Sequence, residues 1–166
     1  MSAQRQPEGL YTAEQRKRRD ESRWTLVQAI LAPVQFLVFL ISLALIGWYF
    51  ATGEALAAAE ISIVIKTLVL YTIMVTGAIW EKEVFGQYLF APAFFWEDVV
   101  SFLVLALHTL YLWAYWMGGF TAEQALLIAL AAYFAYVINA AQFLWKLRQA
   151  RLQMPSSVYL LGEGAQ

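Results

Sequence analysis

The chain has 166 residues, 61% hydrophobic, 16% aromatic and only 14% charged, with a formal net charge of −1. Soluble domains are about half apolar and about a quarter charged, so too little polar surface is present here to coat a soluble globule, and one compact all-α membrane bundle is expected. The absence of Cys excludes thiolate metal sites, disulfides and Cys nucleophiles, and a single His argues against a multi-His metal centre or a bis-His haem.

Residues 1–23 form a polar N-terminal segment expected on the cytoplasmic side, and its first stretch, 1–11, is expected to be mobile. The apolar run that follows is too long for a cleavable signal peptide. Thr12 with Gln15 makes a capping-box pattern that opens a charged helix over 13–23. The basic run Arg16, Lys17, Arg18 and Arg19 reads as a juxtamembrane anchor, with a specific anionic-lipid or partner site as the sharper reading.

Residues 24–148 are expected to hold four spans. The first, 24–50, contains Pro33, which should kink it. Thr25, Gln28, Ala32, Gln35 and Ser42 fall on one stripe that should face the bundle, because amides are poorly tolerated against lipid. The second span, 58–80, carries Lys66, which either snorkels to the membrane edge or pairs with a carboxylate on another helix. A connection over 81–91 follows, and Pro92 stands where a helix-starting Pro belongs. The third span, 92–117, places Glu97, Ser101, Val104, His108, Tyr111 and Tyr115 on one face. Gly118 and Gly119 break it, and Thr121 with Gln124 caps the fourth span, 122–148, whose inner face carries Tyr136, Asn139, Gln142 and Lys146. The tail, 149–166, is expected to be cytoplasmic and irregular after Met154.

Lys and Arg gather at both ends of the chain: Arg5, Arg16, Lys17, Arg18, Arg19 and Arg23 before the first span, Lys146, Arg148 and Arg151 near the end of the last. The first and third loops have none, so both termini are expected in the cytoplasm. The stretch 80–98, WEKEVFGQYLFAPAFFWED, then lies at the cytoplasmic mouth. Charge wedged between membrane-length apolar runs is costly and points to function. Glu81 and Glu83 end one helix, while Glu97 and Asp98 open the next. Carboxylates grouped in a half-apolar setting can divide into a protonated acid and an ionised base, as general acid/base chemistry requires. The plainer reading is an interfacial charge network that pins the loop through Lys82. His108 shares the face of Glu97 but lies roughly 16 Å along the axis, so only a large flat ligand reaches both. The plainer reading of His108 is a hydrogen bond to a Tyr, Asn139 or Gln142. No nucleotide-binding loop, zinc motif or nucleophile elbow is present, and the candidate ligand is large, apolar and membrane-soluble.

The stretches DESRWTLVQAILAPVQFLVFL, KTLVLYTIMVTGAIWEKEVFGQYLFAPAFFWED, LALHTLYL and INAAQFLWKLRQARLQ resemble the bacteriochlorophyllide 3-vinyl hydratase family of photosynthetic bacteria, over about residues 10–153. The resemblance implies a hydro-lyase of bacteriochlorophyll biosynthesis, in a bacterial cytoplasmic or intracytoplasmic membrane. It adds water across the 3-vinyl group of a chlorophyllide-type macrocycle to give a 1-hydroxyethyl group. No cofactor is implied, since the Mg comes with the substrate. The partners implied are this tetrapyrrole and the lipid bilayer. Other enzymes of the pathway or a second copy of the chain are further candidates, and no nucleic acid is expected.

Hydration of a vinyl group requires a proton on its terminal carbon, a base for the water, and negative charge near the cation that develops beside the ring. Glu97 is the expected acid, with Asp98 or Glu83 activating water and Glu81 completing the cluster. Phe94, Phe95, Trp96 and Tyr88 would pack on the macrocycle. His108 would orient it, as an axial ligand of its Mg directly or through water, with Ser101, Tyr111, Asn139 and Gln142 completing the binding face. Two rival readings stand: a pigment-binding or assembly protein without chemistry, which would use the same aromatic loop and His108, and a small proton-coupled transporter, for which Lys66 and His108 are the mid-span ionisable candidates. The acids lie at the mouth rather than at mid-membrane, which disfavours the transporter.

Overall fold

A computed structural model describes residues 9–152; Arg5, the rest of residues 1–8 and the tail from 153 onward lie outside the described residues. Among these, the chain forms five α-helices and no strand: α1 (Ala13–Glu21), α2 (Arg23–Thr52), α3 (Leu56–Phe85), α4 (Phe95–Met117) and α5 (Ala122–Leu152). The last four are long and apolar enough to cross a membrane.

The start of α1 is set by the expected capping box. Gln15 N–H donates to Thr12 Oγ1 at 3.1 Å, and Thr12 N–H donates to Gln15 Oε1 at 2.9 Å. Ser22 ends α1 and caps α2, accepting from Trp24 N–H at 3.2 Å and donating its own hydroxyl proton to Glu83 Oε2 at 2.6 Å. Trp80 Nε1 donates to Thr25 Oγ1, which donates to the Arg19 carbonyl. α1 is thereby held against the end of α3. Thr121 and Gln124 form a second reciprocal pair at the start of α5.

The spans pack principally as two antiparallel hairpins, α2 with α3 and α4 with α5. Ala125, Ala129 and Ala132 are buried at helical spacing on α5, where small side chains let neighbouring helices approach closely. The hairpins meet through Phe39 of α2, whose ring lies 5.3 Å from Tyr133 and 5.1 Å from Tyr136 of α5, and through a Ser62–Ser42–Tyr133 hydrogen-bond chain with 2.6 Å links. α3 and α4 touch much less. Outward side chains such as Leu26, Ile30, Leu37, Ile41 and Trp48 are apolar and exposed, as a lipid-facing surface requires.

The expected inward stripe of α2 is largely present: Gln28 donates to Thr76 at 2.7 Å, and Gln35 and Ser42 are buried. Ala32 instead faces outward. Two boundaries differ from the sequence reading. α3 runs past residue 80 to Phe85 and stops at Gly86, whose φ of 86° is the left-handed conformation that a glycine adopts without cost. Glu81, Lys82 and Glu83 are therefore helical rather than part of a connection. Pro92 does not start α4. It occupies the second position of a turn closed by Phe94 N–H donating to the Ala91 carbonyl at 2.8 Å, where its fixed φ fits equally well, and α4 begins at Phe95.

Candidate functional site

The end of the bundle that carries α1, the 86–94 connection and the C-terminal part of α5 gathers most of the charged residues. Tyr11, Trp80, Phe85, Phe94 and Phe143 form an aromatic cluster there, with ring centroids 5.7–6.4 Å apart across its contacts. Phe94 is at its centre and buried, so it is part of this core and not an exposed face for a ligand.

Behind this cluster, Glu81 from the last turn of α3 and Asp98 from the first turn of α4 are 5% and 4% exposed. Their carboxyl groups lie within hydrogen-bonding reach of each other. Such a bond needs a proton on one of them, because two carboxylates offer only acceptors. The connection supplies a backbone donor to each. Phe90 N–H reaches Asp98 Oδ2 at 2.7 Å, and Ala91 N–H reaches Glu81 Oε2 at 3.2 Å. Phe90 has φ 58°, a left-handed conformation that is strained for a bulky residue and that clusters at functional sites.

The other two acids have different partners. Glu97 forms an ion pair with Lys146 of α5 at 3.2 Å, and its backbone carbonyl accepts from Asn139 Nδ2 at 2.9 Å and Ser101 Oγ at 2.8 Å. Ser101 Oγ also lies 3.1 Å from Asn139 Oδ1. Glu83 is exposed and bound by Ser22. Lys82 pairs with none of these carboxylates, contrary to the plainer reading of the loop. Its Nζ donates to the Gly86 carbonyl at 2.8 Å and lies 5.4 Å from the Tyr88 ring.

On the outer surface beside the pair lies a shelf of exposed aromatics. Phe90 stacks on Phe102 at 5.5 Å and meets Phe95 at 5.7 Å, and Phe95 meets Trp96 at 5.4 Å. Trp96 is 68% exposed, and Tyr88 is also exposed nearby in the sequence. On the other side of the mouth, Thr12, Gln15, Phe85, Pro92, Lys146 and Gln149 help to line an open cleft of about 430 Å³, within the range of small-molecule sites.

Residues 11–149 match the family described as 2-vinyl bacteriochlorophyllide hydratase. The chain belongs to this family. A 2-vinyl bacteriochlorophyllide hydratase of Cereibacter sphaeroides is 72% identical over 148 residues, 89% of this chain and 92% of that protein. One of Rhodobacter capsulatus is 69% identical over 147 residues, 89% of this chain and 85% of that protein. No solved structure matches the chain. Positions 2 and 3 denote the same vinyl-bearing carbon in the two numbering schemes used for tetrapyrroles, so this is the family that the sequence resembles.

Most of the expected site residues thus fall into three groups. Glu81 and Asp98 meet; Glu97, Ser101 and Asn139 join Lys146 in a network next to them; Tyr88, Phe95 and Trp96 are exposed at the mouth. His108 and Tyr111 are fully buried farther along α4. His108 Nδ1 lies 2.8 Å from the Val104 carbonyl, one turn back on its own helix, and not against a Tyr, Asn139 or Gln142. Gln142 Oε1 has no hydrogen-bond partner among the described residues. Lys66 is fully buried with its Nζ 3.7 Å above the Tyr136 ring, so it neither snorkels nor pairs with a carboxylate. Phe90, Phe102 and Lys146 were not among the expected site residues. The Lys146 to Glu97 pairing had a signal, since each residue sits on the inner face of its own helix.

Proposed function

We infer that this chain is a hydro-lyase that adds water across the vinyl group of a bacteriochlorophyllide-type macrocycle, in bacteriochlorophyll biosynthesis. The observation that carries this reading beyond family membership is the buried Glu81–Asp98 pair, whose carboxyl groups lie within hydrogen-bonding reach of each other beside an exposed aromatic shelf. The bundle is multi-pass. Its charged end is the cytoplasmic one, because α1, Lys146, Arg148 and Arg151 lie there, and the two remaining hairpin loops carry no Lys or Arg. Both termini then face the cytoplasm of a bacterial inner membrane.

The macrocycle, soluble in lipid, lies on the Phe90, Phe95, Trp96 and Phe102 shelf with its vinyl edge toward the pair. Contact requires the 86–94 connection to shift, and the strained backbone at Phe90 is where it gives. Asp98 receives the shorter backbone hydrogen bond, which favours its ionised form, so the shared proton rests on Glu81. Glu81 gives that proton to the terminal CH2. The adjacent carbon becomes a cation delocalised into the ring and stabilised by the negative pair. Water adds to it, and its proton passes to Asp98. The pair holds one proton before and after, and the net change is addition of one water. No electron changes hands, so the step calls for no redox carrier, and the substrate brings its own Mg. Glu97 with Lys146, and Glu83 with Ser22, position the mouth. His108 lies inside the bundle, out of reach of a macrocycle on the shelf, so an axial contact to Mg would require α3 and α4 to part.

The test is to express the chain alone, supply a vinyl bacteriochlorophyllide, and look for a mass gain of one water. Conversion is expected. Binding of the pigment without conversion would instead support the assembly-protein reading. Trp96→Ala is expected to raise KM roughly tenfold, the loss of about 1.4 kcal/mol of aromatic contact, with kcat little changed. An unchanged KM would move the macrocycle off the shelf.

A further inference from the structure

Away from the mouth, the middle of the bundle holds polar atoms that the hydration chemistry does not use. Lys66 of α3, His108 and Tyr111 of α4 are each 0% exposed. Lys66 Nζ, His108 Nε2 and the Tyr111 hydroxyl have no hydrogen-bond partner among the described residues. Lys66 and His108 are well inside their spans, about 15 Å from the start of α3 and about 20 Å from the start of α4 at 1.5 Å per residue, and Tyr111 is one turn beyond His108 on the same face. They belong to one layer. Lys66 Nζ sits over Tyr136, the His108 ring is 5.7 Å from Tyr133, and Phe39 touches both of those tyrosines. Lys66 and His108 interact electrostatically, and Tyr111 does so with Glu60 first and then with Tyr115 and Tyr133.

The donor and acceptor pattern identifies the ligand. The Val104 carbonyl can only accept, so His108 Nδ1 carries the proton and Nε2 presents a lone pair. Lys66 offers N–H donors, of which the Tyr136 ring face takes one direction. The Tyr111 hydroxyl can do either. A metal cation is disfavoured by the neighbouring lysine amine, and an anion by the Nε2 lone pair. A molecule that accepts from Lys66 and donates to His108 fits both, and water is the smallest such molecule. Buried water characteristically makes about three hydrogen bonds to polar groups that otherwise lack partners.

We propose that Lys66, His108 and Tyr111 form an internal water-binding site at mid-membrane, on the seam between α3 and α4. The site ties α3 of one hairpin to α4 of the other, along a seam much more sparsely packed than the contacts within each hairpin. Elsewhere along this seam the direct side-chain links are the Tyr71 to Thr109 bond at 2.6 Å and the Glu81–Asp98 pair at the mouth. Polar groups buried in the apolar interior of a membrane protein are costly unless paired, and a bound water pairs all three.

The test is radiolytic hydroxyl-radical footprinting of the full chain in lipid nanodiscs with isotopically labelled water, read by mass spectrometry. Radicals formed from bound internal water label the side chains that hold it. His108 and Tyr111 are expected to be labelled despite complete burial. Lys66→Met is expected to lower that labelling severalfold, while Lys66→Gln, which keeps an N–H donor, retains it. Background labelling of both residues in the unsubstituted protein overturns the proposal, and so does labelling that Lys66→Met leaves unchanged. If Lys66→Met does not fold, the unsubstituted protein still decides the question. The outcome is independent of whether the chain hydrates a vinyl group.

Discussion

Glu81→Gln is expected to lower the hydration rate about 10²- to 10⁴-fold, the usual contribution of a positioned general acid. That is about 3–5.5 kcal/mol of lost transition-state stabilisation. The amide is close to isosteric. Its oxygen still accepts from Ala91 N–H and its NH2 still donates to Asp98, so burial and packing are retained. The loss should therefore appear in kcat, with KM within a few-fold and the melting temperature in detergent nearly unchanged. Glu97→Gln is the informative contrast. It weakens the pairing with Lys146 but leaves the shared proton in place, and less than about a tenfold loss is expected. Turnover of Glu81→Gln within tenfold of the unsubstituted protein, measured on membranes of equal protein content, would remove Glu81 from the mechanism.

The second large effect belongs to Asp98, which has two functions that substitution can separate. Asp98→Asn removes the base and the negative charge beside the developing cation but keeps an oxygen for Phe90 N–H. Turnover should fall by a factor comparable to that of Glu81→Gln, with stability little altered. Asp98→Ala loses turnover equally and also leaves the Phe90 N–H without its acceptor. About 1–3 kcal/mol of stability should go with it, because the carboxylate is what holds Phe90 at φ 58°. Thermal unfolding distinguishes the two variants. If Asp98→Ala is as stable as Asp98→Asn, the backbone clamp contributes nothing.

Much of the fold is legible in the sequence, because apolar run length, capping pairs and helical periodicity are local properties. Four membrane-length helices, the reciprocal caps at Thr12 and Thr121, and the buried face from Glu97 to Tyr111 follow from spacing alone. The pairing of the acids does not. Periodicity says which residues of α4 share a face, and it assigns both Glu97 and Asp98 to a first turn. It does not say which of them meets α3 and which meets α5. That depends on where α3 stops, and α3 runs one more turn, to Gly86, through a charged stretch that reads as a connection. Glu97 consequently meets Lys146, and Asp98 meets Glu81. Lys66 shows the same limit. A lysine in an apolar span is expected to extend toward the membrane edge, whereas here the amine packs over Tyr136 inside the bundle. Phe90 and Phe102 escaped notice because an apolar side chain looks the same in sequence whether it faces lipid, core or ligand.

The location of the shared proton is the central claim, and infrared difference spectroscopy of the protein in membranes at neutral pH reads it directly. A protonated carboxyl group has a C=O stretch distinct from that of a carboxylate and shifts in heavy water. The unsubstituted protein should show one such band, absent in Glu81→Gln and retained in Glu97→Gln. A band that survives Glu81→Gln and disappears in Glu97→Gln would contradict the account and return the acid to Glu97.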